Sequence, residues 1–219
     1  MTTTDIKPPP FPSQDCTLLI QGQAGALEVM VAHPASVLSE AIAVICHPNP
    51  LQQGTMHNKV VTTLHKIFQM RGLVTLRFNY RGVGKSEGEF GNEVGELQDV
   101  KTVVAWMRLH YPHAPLVLAG FSFGGYIALA GATTLLPVLV VAVAPAVGRP
   151  HRPDIGSISC PILLAQGDKD EVVPLAVVTD WLAKRNESPL FLTFKDTDHF
   201  FHGKLMELRE RLLESLPPL

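Results

Sequence analysis

One tract of this sequence carries the residues most able to do chemistry: Leu116-Val-Leu-Ala-Gly-Phe-Ser122-Phe-Gly-Gly-Tyr-Ile-Ala-Leu-Ala130. An unbroken apolar run fit for a buried strand leads into Gly120-Phe121-Ser122-Phe123-Gly124, and a run of small residues fit for a closely packed helix follows. A serine in so sharp a strand-to-helix turn presents its hydroxyl above the strand end. Glycines two before and two after it relieve clashes where backbones approach. The N-terminus of the following helix turns amide N–H groups toward the same place. The chemistry this predicts is nucleophilic attack by Ser122.

A neutral hydroxyl is a weak nucleophile, so a base and an acid to orient the base are required, and with such a turn they are expected downstream in the order acid, then histidine. After Pro161-Ile-Leu-Leu-Ala165 comes Gln166-Gly-Asp168-Lys-Asp170-Glu-Val-Val-Pro174. Asp170 sits in the loop beyond a strand's carboxyl end, the position of the expected acid, with Pro174 suited to the first turn of the next helix. Asp168 reads as a turn residue that holds its own backbone. Of the nine histidines, only His199 and His202 follow Asp170, and His199, nearer the end of the strand Leu190–Phe194, is the expected base.

With these segments in order, the chain resembles an α/β hydrolase: G-F-S-F-G, the G-D-K-D-E-V-V-P loop and D-H-F all match. It is similar to the lid-less, dienelactone-hydrolase-related members with H-P-x-P after an early strand, here His47-Pro48-Asn49-Pro50, followed by Gly54, Met56 and Asn58. The likeness runs from about residue 26 onward. It implies a triad of Ser122, Asp170 and His199 and hydrolysis of a small carboxylic ester or related acyl bond, without metal or organic cofactor. Thioesterases, peptidases and non-catalytic binding proteins share the fold, so those readings stay open. The oxyanion hole should join the N–H of Phe123 to a donor from the His47–Leu51 loop. Pro48 and Pro50 have no N–H, which leaves Asn49, favoured by alignment with the His-Gly-x pattern of relatives, or Leu51. His47 is expected to brace this loop.

A second motif is a decoy. Arg81-Gly-Val-Gly-Lys-Ser86 ends like a phosphate-binding loop, but position 79, where that motif needs its first glycine, is asparagine. The turn reads as structural.

The elements that must position these residues follow from periodicity. Strand-like runs recur at 18–21, 26–31, 42–46, 74–78, 116–119, 139–143, 162–165 and 190–194. Stripes at three-to-four spacing, Val60 to Phe68, Val94 to Met107 and Leu205 to Leu212, predict helices between or after them. The alternation predicts an α/β fold with a mainly parallel sheet of about eight strands flanked by helices, the first two strands pairing as an edge hairpin. Residues 144–160 are too few, and too rich in proline, for a cap domain.

Lys plus Arg total 18 against 20 Asp plus Glu, with no basic block, so a nucleic-acid partner is not expected. Three scattered cysteines fit reduced thiols rather than a disulfide framework. The acidic, proline-bearing start lacks the pattern of a signal peptide, and the longest apolar tract, broken by Pro137 and Pro145, falls short of the ~20 residues that span a bilayer. The expectation is a cytoplasmic protein of one domain, 1–219, with an extended arm over 1–15, no membrane association and a small-molecule acyl substrate. Met56, His57, Tyr80, Phe121, Phe123, Phe200 and Phe201 fall near the expected site, as lining of an apolar acyl pocket or, for several of them, as core.

Overall fold

The computed structural model describes residues 10–149 and 155–219. The chain runs β1 (Cys16–Gly22), β2 (Gly25–Ala32), β3 (Ile42–Cys46), α1 (Lys59–Met70), β4 (Val74–Phe78), α2 (Val94–His110), β5 (Leu116–Phe121), α3 (Phe123–Leu135), β6 (Leu139–Val143), β7 (Ile162–Gly167), α4 (Leu175–Leu182), β8 (Leu190–Phe194) and α5 (Leu205–Ser215), with a single 3-10 turn at Pro50–Gln52. The strands form one eight-stranded sheet in the order β1-β2-β4-β3-β5-β6-β7-β8. β1 and β2 pair antiparallel, as the edge hairpin expected of them, and β2 meets β4 antiparallel; the remaining pairings are parallel.

The apolar runs are continuous because both faces of the sheet are covered. In β3, Ile42, Val44 and Cys46 face the layer of α2, α3 and α4, whereas Ala43 and Ile45 face α1 and α5. β5 divides likewise, Leu116 and Leu118 one way and Val117, Ala119 and Phe121 the other. A one-residue slip would exchange the two sets, so packing on both sides pins the register. That register sets Gly120 beside Cys46, Phe121 beside Val143 and Gly167 beside Phe194, gathering the carboxyl ends of the central strands at one edge.

β5 and β7 run two residues past their apolar cores, to Phe121 and Gly167, so Ser122 follows its strand directly. α4 is short and buries only Val178, so it gave no stripe to read; Pro174 stands just before it as the cap residue. Residues 144–149 and 155–160 contain no helix or strand. Of the expected arm, residues 1–9 lie outside the described residues. Phe11, within the expected extended arm, sits half-buried, its ring 4.9 Å from Tyr111 and 5.3 Å from Trp106. Aromatic contact thus pins this stretch to α2.

Candidate active site

Ser122 occupies the single residue between β5 and α3, with φ 55° and ψ −117°. Few non-glycine residues adopt this backbone, and the surroundings determine it from three sides. Ser122 N–H donates to Val143 O at 2.9 Å, and Ser122 O accepts from Ala146 N–H at 3.0 Å and Tyr126 N–H at 3.1 Å. A Cβ on Gly120 would stand 2.1 Å from Gly124 O, and one on Gly124 2.3 Å from Cys46 O and 2.5 Å from His47 O. The two glycines are therefore steric requirements, and the second brings the β3 loop against the first turn of α3.

His199 lies on the loop after β8. The Ser122 hydroxyl donates to His199 Nε2 at 3.0 Å, and Nδ1–H donates to Asp170 Oδ2 at 2.7 Å. A carboxylate only accepts, so Asp170 fixes the tautomer and leaves Nε2 facing the serine. Phe121 and Phe200 hold the imidazole, at ring-centroid distances of 4.9 and 5.1 Å. Asp170 is buried, and four donors meet its carboxylate: Nδ1–H of His199 and Nε2–H of Gln166 (2.8 Å) at Oδ2, and the N–H groups of Val172 (2.9 Å) and Val173 (2.7 Å) at Oδ1. Full hydrogen bonding is what permits a buried carboxylate. The arrangement can take a proton from Ser122 and hold the resulting imidazolium.

The structure brings together Ser122, Asp170 and His199, and it turns the neighbouring Asp198, His202 and Asp168 to other partners. Asp198 turns outward and pairs with His202 Nδ1 at 2.6 Å. Asp168 does hold backbone, but that of the neighbouring loop rather than its own, accepting from Thr197 N–H at 3.2 Å. Gln166, completely buried, joins Asp170 Oδ2 to Val173 O, a role that sequence reasoning missed. An amide at the buried end of a strand otherwise wholly apolar was the available signal.

Of the two oxyanion candidates in the loop, Leu51 N–H donates to Asn49 Oδ1 at 3.0 Å inside the 3-10 turn, and its side chain is exposed. Among the described residues, Asn49 N–H has no hydrogen-bond partner. Phe123 is the first residue of α3, directly after the serine. His47 is buried and braces the loop as expected: Nδ1–H donates to Pro48 O at 2.6 Å, and Nε2 accepts from Tyr80 N–H at 3.1 Å. Burial pushes its pKa down to about 3, against the smaller opposing effect of the Pro48 carbonyl. The expected acyl-pocket lining is mostly core: Met56, Tyr80, Phe121, Phe123 and Phe201 are buried, while His57 and Phe200 reach solvent. Among the described residues no three His, Cys, Asp or Glu side chains gather as metal ligands, and no helix is long and apolar enough to cross a membrane.

With this geometry established, comparison with known proteins is informative. The sequence model of the family described as X-Pro dipeptidyl-peptidase (S15 family) matches residues 25–152, more than half of the chain. The chain belongs to that family, and with it to the α/β hydrolases. The matched stretch of this α/β hydrolase includes Ser122 and ends before Asp170 and His199. An α/β serine hydrolase homologue from Coxiella burnetii superposes with a TM-score of 0.91 at 42% identity, covering 94% of this chain and 100% of that one. A Xanthomonas campestris α/β serine hydrolase without a lid gives 0.87 at 38% identity, covering 95% and 100%. An uncharacterised protein of Rickettsia prowazekii is 33% identical over 209 residues, 91% of this chain and 87% of that protein.

Proposed function

We propose that this α/β hydrolase cleaves a small carboxylic ester or related acyl bond through an acyl-enzyme on Ser122. The contact that carries the reading is the 3.0 Å hydrogen bond from Ser122 Oγ to His199 Nε2, with Asp170 2.7 Å behind the ring. His199 removes the hydroxyl proton as Oγ attacks the acyl carbon, and Asp170 stabilises the imidazolium that forms. The imidazolium then gives its proton to the leaving alkoxide, and a water molecule repeats the sequence to free the acid. The N–H groups of Phe123 and Asn49 stabilise the tetrahedral oxyanion; Asn49 is preferred because Leu51 N–H already donates to Asn49 Oδ1.

A second reading, peptide cleavage, draws on the match to a family described as X-Pro dipeptidyl-peptidase. An amine leaves less readily than an alkoxide and must be protonated as it departs, so an ester is the easier substrate for the same triad. Labelling with a fluorophosphonate probe, followed by ester, thioester and X-Pro amide substrates, separates the readings. Labelling abolished in Ser122→Ala with ester turnover supports the proposal; amide turnover above ester turnover replaces it with the peptidase reading. No labelling and no turnover points to a binding protein. Its expected surroundings are the cytoplasm and a small acyl compound.

A further inference from the structure

Both limbs of the loop between β3 and α1 are tied to adjacent residues of a second loop. At the start, His47 Nε2 accepts from Tyr80 N–H at 3.1 Å. At the return, Met56 N–H donates to Asn79 Oδ1 at 2.9 Å, and Arg77 Nη1 donates to Met56 O at 3.1 Å. His47, Met56, Asn79 and Tyr80 are all buried, so little solvent competes for these bonds. Between the limbs lies Asn49, whose carbonyl accepts from the N–H groups of Gln52 and Gly54, each at 3.0 Å.

Asn79 is in turn held from behind by the turn that imitates a phosphate-binding loop. Its Nδ2 donates to Glu28 Oε2 at 2.7 Å, its N–H donates to Glu28 O at 2.9 Å, and its carbonyl accepts from Ser86 Oγ at 2.7 Å. Glu28 Oε2 also accepts from Lys85 N–H at 3.0 Å. Because a carboxylate can only accept, Glu28 forces Nδ2 toward itself and leaves Oδ1 facing Met56. Gly84, at φ +59°, closes over this pair: a Cβ there would lie 2.4 Å from Asn79 Nδ2 and 2.5 Å from Glu28 Oε2.

We infer that Asn79 and His47 are positioning residues for hydrolysis, together fixing Asn49 N–H where the oxyanion develops, and that the Arg81–Ser86 turn serves to orient the Asn79 amide. The inference rests on the reading above, in which Asn49 is an oxyanion donor. A donor of this kind acts by being held in place before charge appears, and a displacement of ~1 Å can cost on the order of 100-fold in rate. Asn79 hydrogen-bonds to Met56, Glu28 and Ser86 rather than to Ser122 or His199, so it acts through Met56 and the loop.

The test compares native protein with Asn79→Ala and with Arg77→Met, which cuts the other bond to Met56 at a less buried site. Each is measured for kcat and KM on a p-nitrophenyl ester and for inhibition by phenylboronic acid, which forms a tetrahedral adduct with a nucleophilic serine. In Asn79→Ala, kcat falls about 10- to 100-fold with KM within about threefold, and boronic acid affinity weakens by the same factor as kcat/KM. Arg77→Met shows the same pattern at about 3- to 10-fold, and it decides the matter if Asn79→Ala does not fold. A folded variant whose kcat stays within about twofold, or whose loss lies in KM alone, overturns the inference. Ser122→Ala in the same assay separates the two levels: retained activity there defeats the serine reading itself.

Discussion

Asp170 Oδ2 and His199 Nδ1 lie 2.7 Å apart although they come from loops after different strands, β7 and β8. The parallel pairing of those strands sets Gly167 against Phe194, so both loops leave the sheet at the same level. A Cβ on Gly167 would be 2.2 Å from Thr197 O, so the loops press directly on each other. The acid and the base are thus delivered together by one strand pair, and the serine by β5.

The consequences for turnover differ by residue. Ser122→Ala and His199→Ala should each lower kcat by on the order of 10⁶, and Asp170→Asn by roughly 10⁴, as in serine hydrolases whose three groups act as a unit. Asp198→Asn and Asp168→Asn should keep most activity, since one faces His202 and the other a backbone amide of the adjoining loop. Steady-state kinetics with a p-nitrophenyl ester decide it; a larger loss in Asp198→Asn than in Asp170→Asn would transfer the acid role.

The elbow glycines predict a stability effect. Gly120→Ala and Gly124→Ala place a Cβ within 2.1 and 2.3 Å of backbone oxygens that cannot swing aside. Either should lower the melting temperature by on the order of 10 °C or prevent folding. Gly156→Ala meets, among the described residues, only Thr133 Cγ2 at 3.6 Å and serves as the comparison. Equal melting curves for Gly124→Ala and Gly156→Ala would show that the turn relaxes more easily than its packing implies.

Acid should destabilise the fold through two histidines. Burial lowers the pKa of His47 from 6.5 to about 3, and burial, then the charge of Arg77, lowers that of His65 from 6.5 to about 4. Below pH 6.5 the unfolded chain binds these protons before the native one does, so stability present above that pH declines steadily as pH falls, the His65 share levelling off below about 4 and the His47 share below about 3. Thermal melts from pH 7.5 to 4.5 should show this decline, with a shallower slope in His65→Gln. A slope unchanged in that variant would assign the acid sensitivity elsewhere.

How far the sequence could be read depends on how local each signal was. A strand buried on both faces announces itself as an unbroken apolar run, as β3 and β6 do; β4 and β8, interrupted by Thr75, Arg77 and Thr193, also begin and end at the expected positions. Ser122, Asp170 and His199 were legible because each follows such a run at a strand's carboxyl end. The link from Gln166 to Asp170 and the bond from Asn79 to Met56 were not, since each depends on how two loops meet. The bond from Leu51 N–H to Asn49 Oδ1 likewise belongs to a 3-10 turn that no periodicity encodes. Pocket and core could not be told apart for a related reason: Phe121 and Phe201 are as apolar as a pocket lining would be, but their strand and loop turn them into the layer under α1 and α5.

The last expectation concerns substrate length. In hydrolases that enclose long acyl chains, an inserted segment covers the site, and the place for it here is between β6 and β7. The described residues of that connection, 144–149 and 155–160, form neither helix nor strand, and the Xanthomonas campestris relative is likewise without a lid. A site without a cap domain gains little from water exclusion and offers a long chain little apolar surface to replace its hydration. Phe200, 46% exposed beside His199, offers apolar surface on the scale of a short or compact acyl group. Activity on p-nitrophenyl esters should therefore peak between acetate and about hexanoate and fall toward palmitate, with simple saturation and no rise when substrate forms micelles. A maximum at the long esters, or a jump in rate at the critical micelle concentration, would mean that some other part of the chain closes over Ser122.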